Sequence, residues 1–228
     1  MGRLIENADL RNKFYVFKDR SDAGNLLAEK LENYAFSTTL VLAIPAGGVP
    51  VAYELSKNLG LDMDIVIVRK IQIPGNPEAG FGAMGPDGEV IFNERFMRSL
   101  RLSKDEIARQ VAKTKKVLDS RNLTYRHGRP FPELNDKTVI LADDGLASGY
   151  TMSEAIKFVK RKFAEKIIAA IPTGSESAIE LILPLVDELY CLNIRGYPFA
   201  VADAYEQWYD VSDEEVIYYL KKASDEKN

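Results

Sequence analysis

Cysteine and histidine are almost missing from this chain: among 228 residues there is one of each, Cys191 and His127. A single cysteine excludes an intramolecular disulfide and leaves no thiolate cluster for a metal. It lies in the apolar run Leu189-Tyr190-Cys191-Leu192, where a thiol is expected to pack as a small hydrophobe and not to act as a nucleophile. One histidine leaves histidine-rich metal sites and most histidine-based catalytic schemes without support, and a general acid or base role for His127 is the minor reading. No apolar run reaches the length of a membrane span, so no membrane partner is expected. Residues 1–17 carry charges and asparagines in place of the apolar core of a signal peptide. A cytoplasmic location is the expectation. With 30 Lys and Arg against 34 Asp and Glu, the net charge is −4, which argues against a nucleic-acid-binding surface. Internal repeats are lacking too, and the only low-complexity stretch is a short polar tail after Leu220.

What is present is an alternation. Apolar runs at Thr39–Ile44, Met63–Val68, Val139–Ala142, Lys166–Ile171 and Glu188–Leu192 read as strands buried on both faces. Between them stand amphipathic helices: one after Asp19-Arg20-Ser21-Asp22 with Ser21 as N-cap, one over Val51–Leu59, one opening at Thr151 and one over Ser175–Leu183. The turn Pro86-Asp87-Gly88 between Ala79–Met84 and Glu89–Phe92 reads as a short hairpin. Ser103-Lys104-Asp105-Glu106 and Ser212-Asp213-Glu214-Glu215 are capping boxes for two further helices. The pattern predicts an α/β fold with a doubly wound parallel sheet and sites at the carboxyl ends of its strands. The length suits one domain, 1–228, with a helical insertion at about 94–130.

The most informative stretch is Val139-Ile140-Leu141-Ala142-Asp143-Asp144-Gly145-Leu146-Ala147-Ser148-Gly149-Tyr150-Thr151. A buried strand ends in two carboxylates, then a small-residue turn, then a helix. Such a turn gathers backbone N–H groups at a helix N-terminus, where unpaired donors and the helix dipole favour a phosphate. The carboxylates can hold hydroxyls or a hydrated hard cation beside it. Together they point to a sugar phosphate.

This stretch resembles the phosphoribosyl pyrophosphate (PRPP) signature of the type I phosphoribosyltransferases, and within that family the subgroup usually described only as predicted phosphoribosyltransferases. The resemblance runs from Asp19 to Glu215. It implies that Asp143 and Asp144 sit by the ribose hydroxyls and a Mg²⁺ ion, and that Gly145, Ala147, Ser148, Gly149, Tyr150 and Thr151 belong to the loop around the 5′-phosphate. Two positions depart from the commonest form, Ala142 and Gly145, the latter expected to loosen the loop. Pro45-Ala46-Gly47-Gly48-Val49-Pro50 resembles the family's pyrophosphate loop, with N–H donors from Gly47 and Gly48 and a strained or cis peptide expected at Ala46–Gly47. Arginine is usual in the subgroup where this chain has Ala46, so the cation must come from elsewhere. Ala147 replaces the aspartate that lies near N7 of the base in 6-oxopurine members, so that group is not matched.

Arg69 and Lys70, at the end of the second strand, read either as cations for the leaving pyrophosphate or as solubilising strand-end charges. Arg121, Arg126 and Arg129, in a basic loop over Arg121–Pro130, read as phosphate partners or as a solvated loop. The family's flexible catalytic loop is expected in Pro74–Glu78 or in Arg121–Pro130. A C-terminal hood, about 193–228, is implied over the acceptor, where Tyr205, Trp208 and Tyr209 could stack on a planar ring or pack the last helix or a dimer interface. The implied activity is Mg²⁺-dependent transfer of the ribose 5-phosphate group of PRPP to a nitrogen acceptor, in a homodimer. The alternatives are a PRPP- or nucleotide-sensing binding protein without turnover, and a hydrolase of the same sugar phosphate.

Overall fold

The computed structural model describes residues 2–226, without the side chains of Pro77, Glu78 and Arg95. In chain order its elements are β1 (Arg3–Glu6), α1 (Arg20–Lys30), β2 (Leu40–Ala43), α2 (Gly48–Leu59), β3 (Asp62–Ile65), β4 (Arg69–Ile73), β5 (Asn76–Met84), β6 (Val90–Phe92), α3 (Glu94–Leu100), α4 (Lys104–Arg126), β7 (Thr138–Ala142), α5 (Tyr150–Arg161), β8 (Lys166–Ser175), α6 (Glu176–Ile182), β9 (Glu188–Arg195) and α7 (Asp213–Asp225). Six strands form one parallel sheet in the order β1-β9-β8-β7-β2-β3. A smaller antiparallel sheet holds β4, β5 and β6.

The strand period of two sorts the apolar side chains onto two faces. Val41, Ala43, Ile140, Ala142, Ile168 and Ala170 point to one layer, against α1 and α2. Leu40, Leu42, Val139, Leu141, Ile167 and Ala169 point to the other, against α5 and α6. Both faces are therefore buried, and the strands read as continuous apolar runs for that reason. The fold is the expected α/β class with a doubly wound parallel sheet. From β2 the chain steps outward to β3 on one side, and from β7 to β8 and β9 on the other. The order thus reverses between β2 and β7, and a crevice opens at the carboxyl ends of strands at such a point.

Several elements differ from the sequence-based expectation. β1 is an additional strand, paired with β9 at the sheet edge; an edge strand tolerates Arg3 and Glu6, which disguised it. Helix α1 is capped by Asp19, whose carboxylate accepts from the Asp22 N–H at 2.9 Å, and not by Ser21. β3 stops at Ile65, and Arg69 and Lys70 open β4 of the second sheet instead of closing a strand of the first. Residues 74–75 alone form the turn of the β4–β5 hairpin. Residues 121–126 belong to α4, so the expected basic loop shrinks to 127–130. β8 continues through Pro172 to Ser175, past a residue without an N–H to donate. Both expected capping boxes are present, at Ser103 with Glu106 and at Ser212 with Glu215. Lys227 and Asn228, at the end of the expected hood, lie outside the described residues.

Candidate active site

The crevice between β2 and β7 is bordered by two loops that touch. After β2, the Ile44 N–H donates to the Ala142 carbonyl at 2.9 Å, tying the loop's start to the end of β7. Gly47 then lies so close to the acidic pair that a Cβ on it would stand 1.9 Å from Asp144 Oδ2. A Cβ on Gly48 would stand 2.6 Å from the Ala142 carbonyl oxygen and 2.8 Å from the Asp143 Cα. The two glycines are what allows α2 to begin against the end of β7. The Gly48 N–H donates to Ile44 O at 3.1 Å and is already used. Among the described residues the N–H groups of Ala46 and Gly47 meet no acceptor. The cis peptide is Pro45–Ala46, one bond earlier than expected.

The second loop is pinned, not loosened, by its unusual glycine. A Cβ on Gly145 would come within 2.4 Å of Val201 Cγ1, so the bare backbone admits the C-terminal segment. Leu146 is held by both its backbone groups to the extension of β8, donating to Thr173 O and accepting from the Ser175 N–H, each at 2.9 Å. The Ser175 hydroxyl donates to Ala147 O at 2.7 Å. Ala147 and Ser148 face solvent, and Gly149, with φ +76°, turns the chain into α5. Among the described residues the N–H groups of Ala147, Ser148, Tyr150 and Thr151 meet no acceptor. These are the donors an anion at a helix N-terminus uses.

Asp143 and Asp144 are half-buried, and their carboxyls interact with each other. Burial, reinforced by the charge of Asp144, holds the Asp143 carboxyl well above the ordinary carboxylate range. Burial also raises Asp144, against the opposing pull of the Arg20 guanidinium. That guanidinium donates from Nε to Asp144 Oδ2 at 2.8 Å. Among the described residues no group of three or more His, Cys, Asp or Glu could hold a metal. A hydrated Mg²⁺ ion needs no such group, since one or two carboxylates with waters and substrate phosphates are enough to hold it.

Of the cations proposed from sequence, Arg69 and Arg121 lie near each other beside Asp213, and the others have different partners. Arg69 is within electrostatic reach of Arg121, Tyr125 and Asp213, and burial together with Arg121 lowers its pKa. Lys70, next along β4, lies against Gly80 on the other face of the hairpin, as strand alternation requires. Arg126 is buried and committed: it donates to Asp64 Oδ1 at 2.5 Å, to Pro130 O at 2.7 Å and to Ile65 O at 3.3 Å. It ties the end of α4 to β3 and has no fork left for a phosphate, which corrects its expected role. Arg129 is exposed and donates to Arg126 O at 3.3 Å. Arg121 pairs with Asp213 at 3.7 Å. His127 is the left-handed C-cap of α4.

The aromatic tail divides as well. Tyr205 is buried against Phe17 and donates its hydroxyl to Asp144 O at 2.6 Å, so its ring is unavailable for stacking on a ligand. Trp208 and Tyr209 are exposed. Beside the Ala147 loop opens a cavity of about 350 Å³, lined by Ala147, Ser175, Glu176, Arg195, Tyr197 and Phe199 among others.

A phosphoribosyl transferase domain model matches residues 20–183. A Mycobacterium tuberculosis protein named "Putative phosphoribosyl transferase" is 34% identical over 210 residues, which cover 91% of this chain and 47% of that protein. The chain therefore spans about half the length of the curated relatives it matches. Among solved structures, TT1426 from Thermus thermophilus is 34% identical with a TM-score of 0.74, over 90% of this chain and 98% of that one. AQ2163 from Aquifex aeolicus, 10% identical with a TM-score of 0.50 over 88% of this chain and 86% of its own, shares the fold.

Proposed function

The chain belongs to the phosphoribosyl transferase family, and from that membership and the layout of the crevice we propose that it transfers the ribose 5-phosphate group of PRPP to a nitrogen acceptor with release of pyrophosphate. The observation that carries this reading is the contact between the Gly47 loop and Asp144. It brings the loop with open N–H groups at Ala46 and Gly47 against the carboxylate pair, and the second loop with open N–H groups follows that pair along the chain, which supports a pentose with phosphates at both ends as the ligand.

In this reading the N–H groups of Ala147, Ser148, Tyr150 and Thr151 take the 5′-phosphate, with the α5 dipole adding to their attraction. Asp143 and Asp144 accept from the ribose hydroxyls. The N–H groups of Ala46 and Gly47 receive the diphosphate. The C1–oxygen bond to pyrophosphate breaks as the acceptor nitrogen bonds to C1, and the nitrogen then gives up its proton to solvent. Mg²⁺, when bound, supplies Lewis-acid stabilisation of the departing diphosphate. The carboxylates, fixed before substrate arrives, favour the positive charge that develops on the ring. The acceptor would occupy the cavity beside Ala147, with Tyr197 and Phe199 at its rim.

The test is a pyrophosphate-release screen with Mg²⁺ and PRPP against purine and pyrimidine bases, orotate, nicotinate and aromatic amines. Release that depends on one acceptor class, and falls at least about 100-fold in an Asp143→Asn/Asp144→Asn double variant, is the expected result. Acceptor-independent release would make the protein a hydrolase. Saturable PRPP binding with no release under any acceptor would make it a sensor.

A further inference from the structure

Arg20 reads in the sequence as an ordinary charge at the start of a helix. In the structure it is 4% exposed, and each of its polar contacts leads to the crevice or to the C-terminal segment. Nε donates to Asp144 Oδ2 and Nη1 to the Tyr209 carbonyl, both at 2.8 Å. The guanidinium carbon sits 4.0 Å from the centroid of the Trp208 ring and 5.5 Å from that of Tyr209. Tyr205, whose ring lies tilted against Trp208 at 5.3 Å between centroids, donates its hydroxyl to the carbonyl of the same aspartate. One acidic residue is thus held by its carboxylate and by its backbone, and both holds belong to a single cluster of Arg20, Tyr205, Trp208 and Tyr209.

Burying a guanidinium is costly, and an ion pair in such a place is a weak source of stability. A planar cation that forks between a carboxylate and a carbonyl while stacking on an indole does something a lysine cannot do as well: it fixes an angle. Resting on the reading of Asp144 as a ligand of PRPP, we propose that Arg20 is a positioning residue for the transfer reaction. It sets the Asp144 carboxylate against Gly47 before substrate arrives, and it couples occupancy of the sugar site to the Trp208–Tyr209 segment. Supports that orient a ligating carboxylate typically change affinity or activity by about 10- to 100-fold when removed.

Trp208 is the chain's only tryptophan, so its emission reports on this cluster alone. The experiment titrates PRPP with Mg²⁺ into the wild-type chain, Arg20→Gln and Arg20→Lys, following binding by calorimetry and Trp208 by fluorescence, at a temperature where circular dichroism shows all three folded. In the wild type, binding and a change in Trp208 emission are expected to saturate together. Arg20→Gln is expected to bind about 10- to 100-fold more weakly and to lose the emission change, with partial recovery of both in Arg20→Lys. Wild-type binding accompanied by unchanged affinity and an unchanged emission response in Arg20→Gln would overturn the role of Arg20 and leave the functional reading standing. Failure of the wild type to bind PRPP would overturn both. Should Arg20→Gln not fold, Arg20→Lys decides: affinity within twofold of the wild type and an intact emission response overturn the proposal.

Discussion

Gly47 has φ −59°, a conformation open to any residue, so its requirement for glycine is one of space. Its missing Cβ is the room that Asp144 Oδ2 occupies. Gly47→Ala is therefore expected to displace the acidic pair, costing about 1–3 kcal/mol of stability and abolishing PRPP binding in calorimetry. The carboxyl of Asp143 gives a second expectation. Its folded pKa is raised by burial and by Asp144, so its ionised form weighs against the folded state at neutral pH. Stability from this group rises as pH falls through the folded value toward the unfolded one, and is flat below the latter. Asp143→Asn keeps an acceptor for the Asp144 N–H, which now meets Asp143 Oδ1 at 2.9 Å. That change is expected to stabilise the ligand-free chain at pH 7 by roughly 1 kcal/mol, with the gain shrinking in acid. Denaturant melts of both proteins at pH 7 and pH 4 measure it, and a net loss at pH 7 would contradict the assignment. Gly47, Gly48, Asp143 and Asp144 were placed in sequence at the ends of two strands because small residues and acids end an apolar run, and the structure brings those two strand ends together. Arg20 was not: its local sequence is that of a helix start, and its partners lie 124 and 189 positions away.

Helix α5 carries the Ala147–Gly149 loop at one end and anchors the small sheet at the other. Arg161 pairs with Asp87 through two contacts, at 2.8 and 2.9 Å, and with Glu154 at 2.7 Å. Glu154 is fully buried, its other oxygen has no partner among the described residues, and burial raises its pKa. Arg161→Ala is expected to cost on the order of 3 kcal/mol at pH 7 by stranding that carboxylate. The cost should fall toward pH 5 as Glu154 takes up a proton, since a raised folded pKa favours the folded state in acid. Chemical denaturation at the two pH values checks this; an equal cost at both would show that Glu154 is not the source. Elements with buried faces, such as β2, β7 and α5, were read correctly because a core imposes its period on the sequence. The misreadings fell where that constraint is weak: β1 at the edge with its charges, Arg69 and Lys70 in a second sheet, and residues 121–126, polar helix positions that read as loop.

Across the whole molecule, one topological fact does most to locate function. Reversal of strand order between β2 and β7 brings the turn at Gly47 against Asp144, and the loop at Ser148 follows four residues further on. Residues that are about a hundred positions apart in sequence become neighbours at a single rim. The curated relatives are about twice as long as this chain, so the reaction proposed here is that of the shared unit. Its most direct test is calorimetric titration of PRPP, with Mg²⁺, into the wild-type chain and into the Asp143→Asn/Asp144→Asn double variant. One saturable site per chain in the wild type, lost in the double variant while inorganic phosphate still binds weakly at the Ser148 loop, is the expected result. PRPP binding of equal strength in both proteins would contradict the claim that the carboxylate pair and the two loops grip one activated pentose.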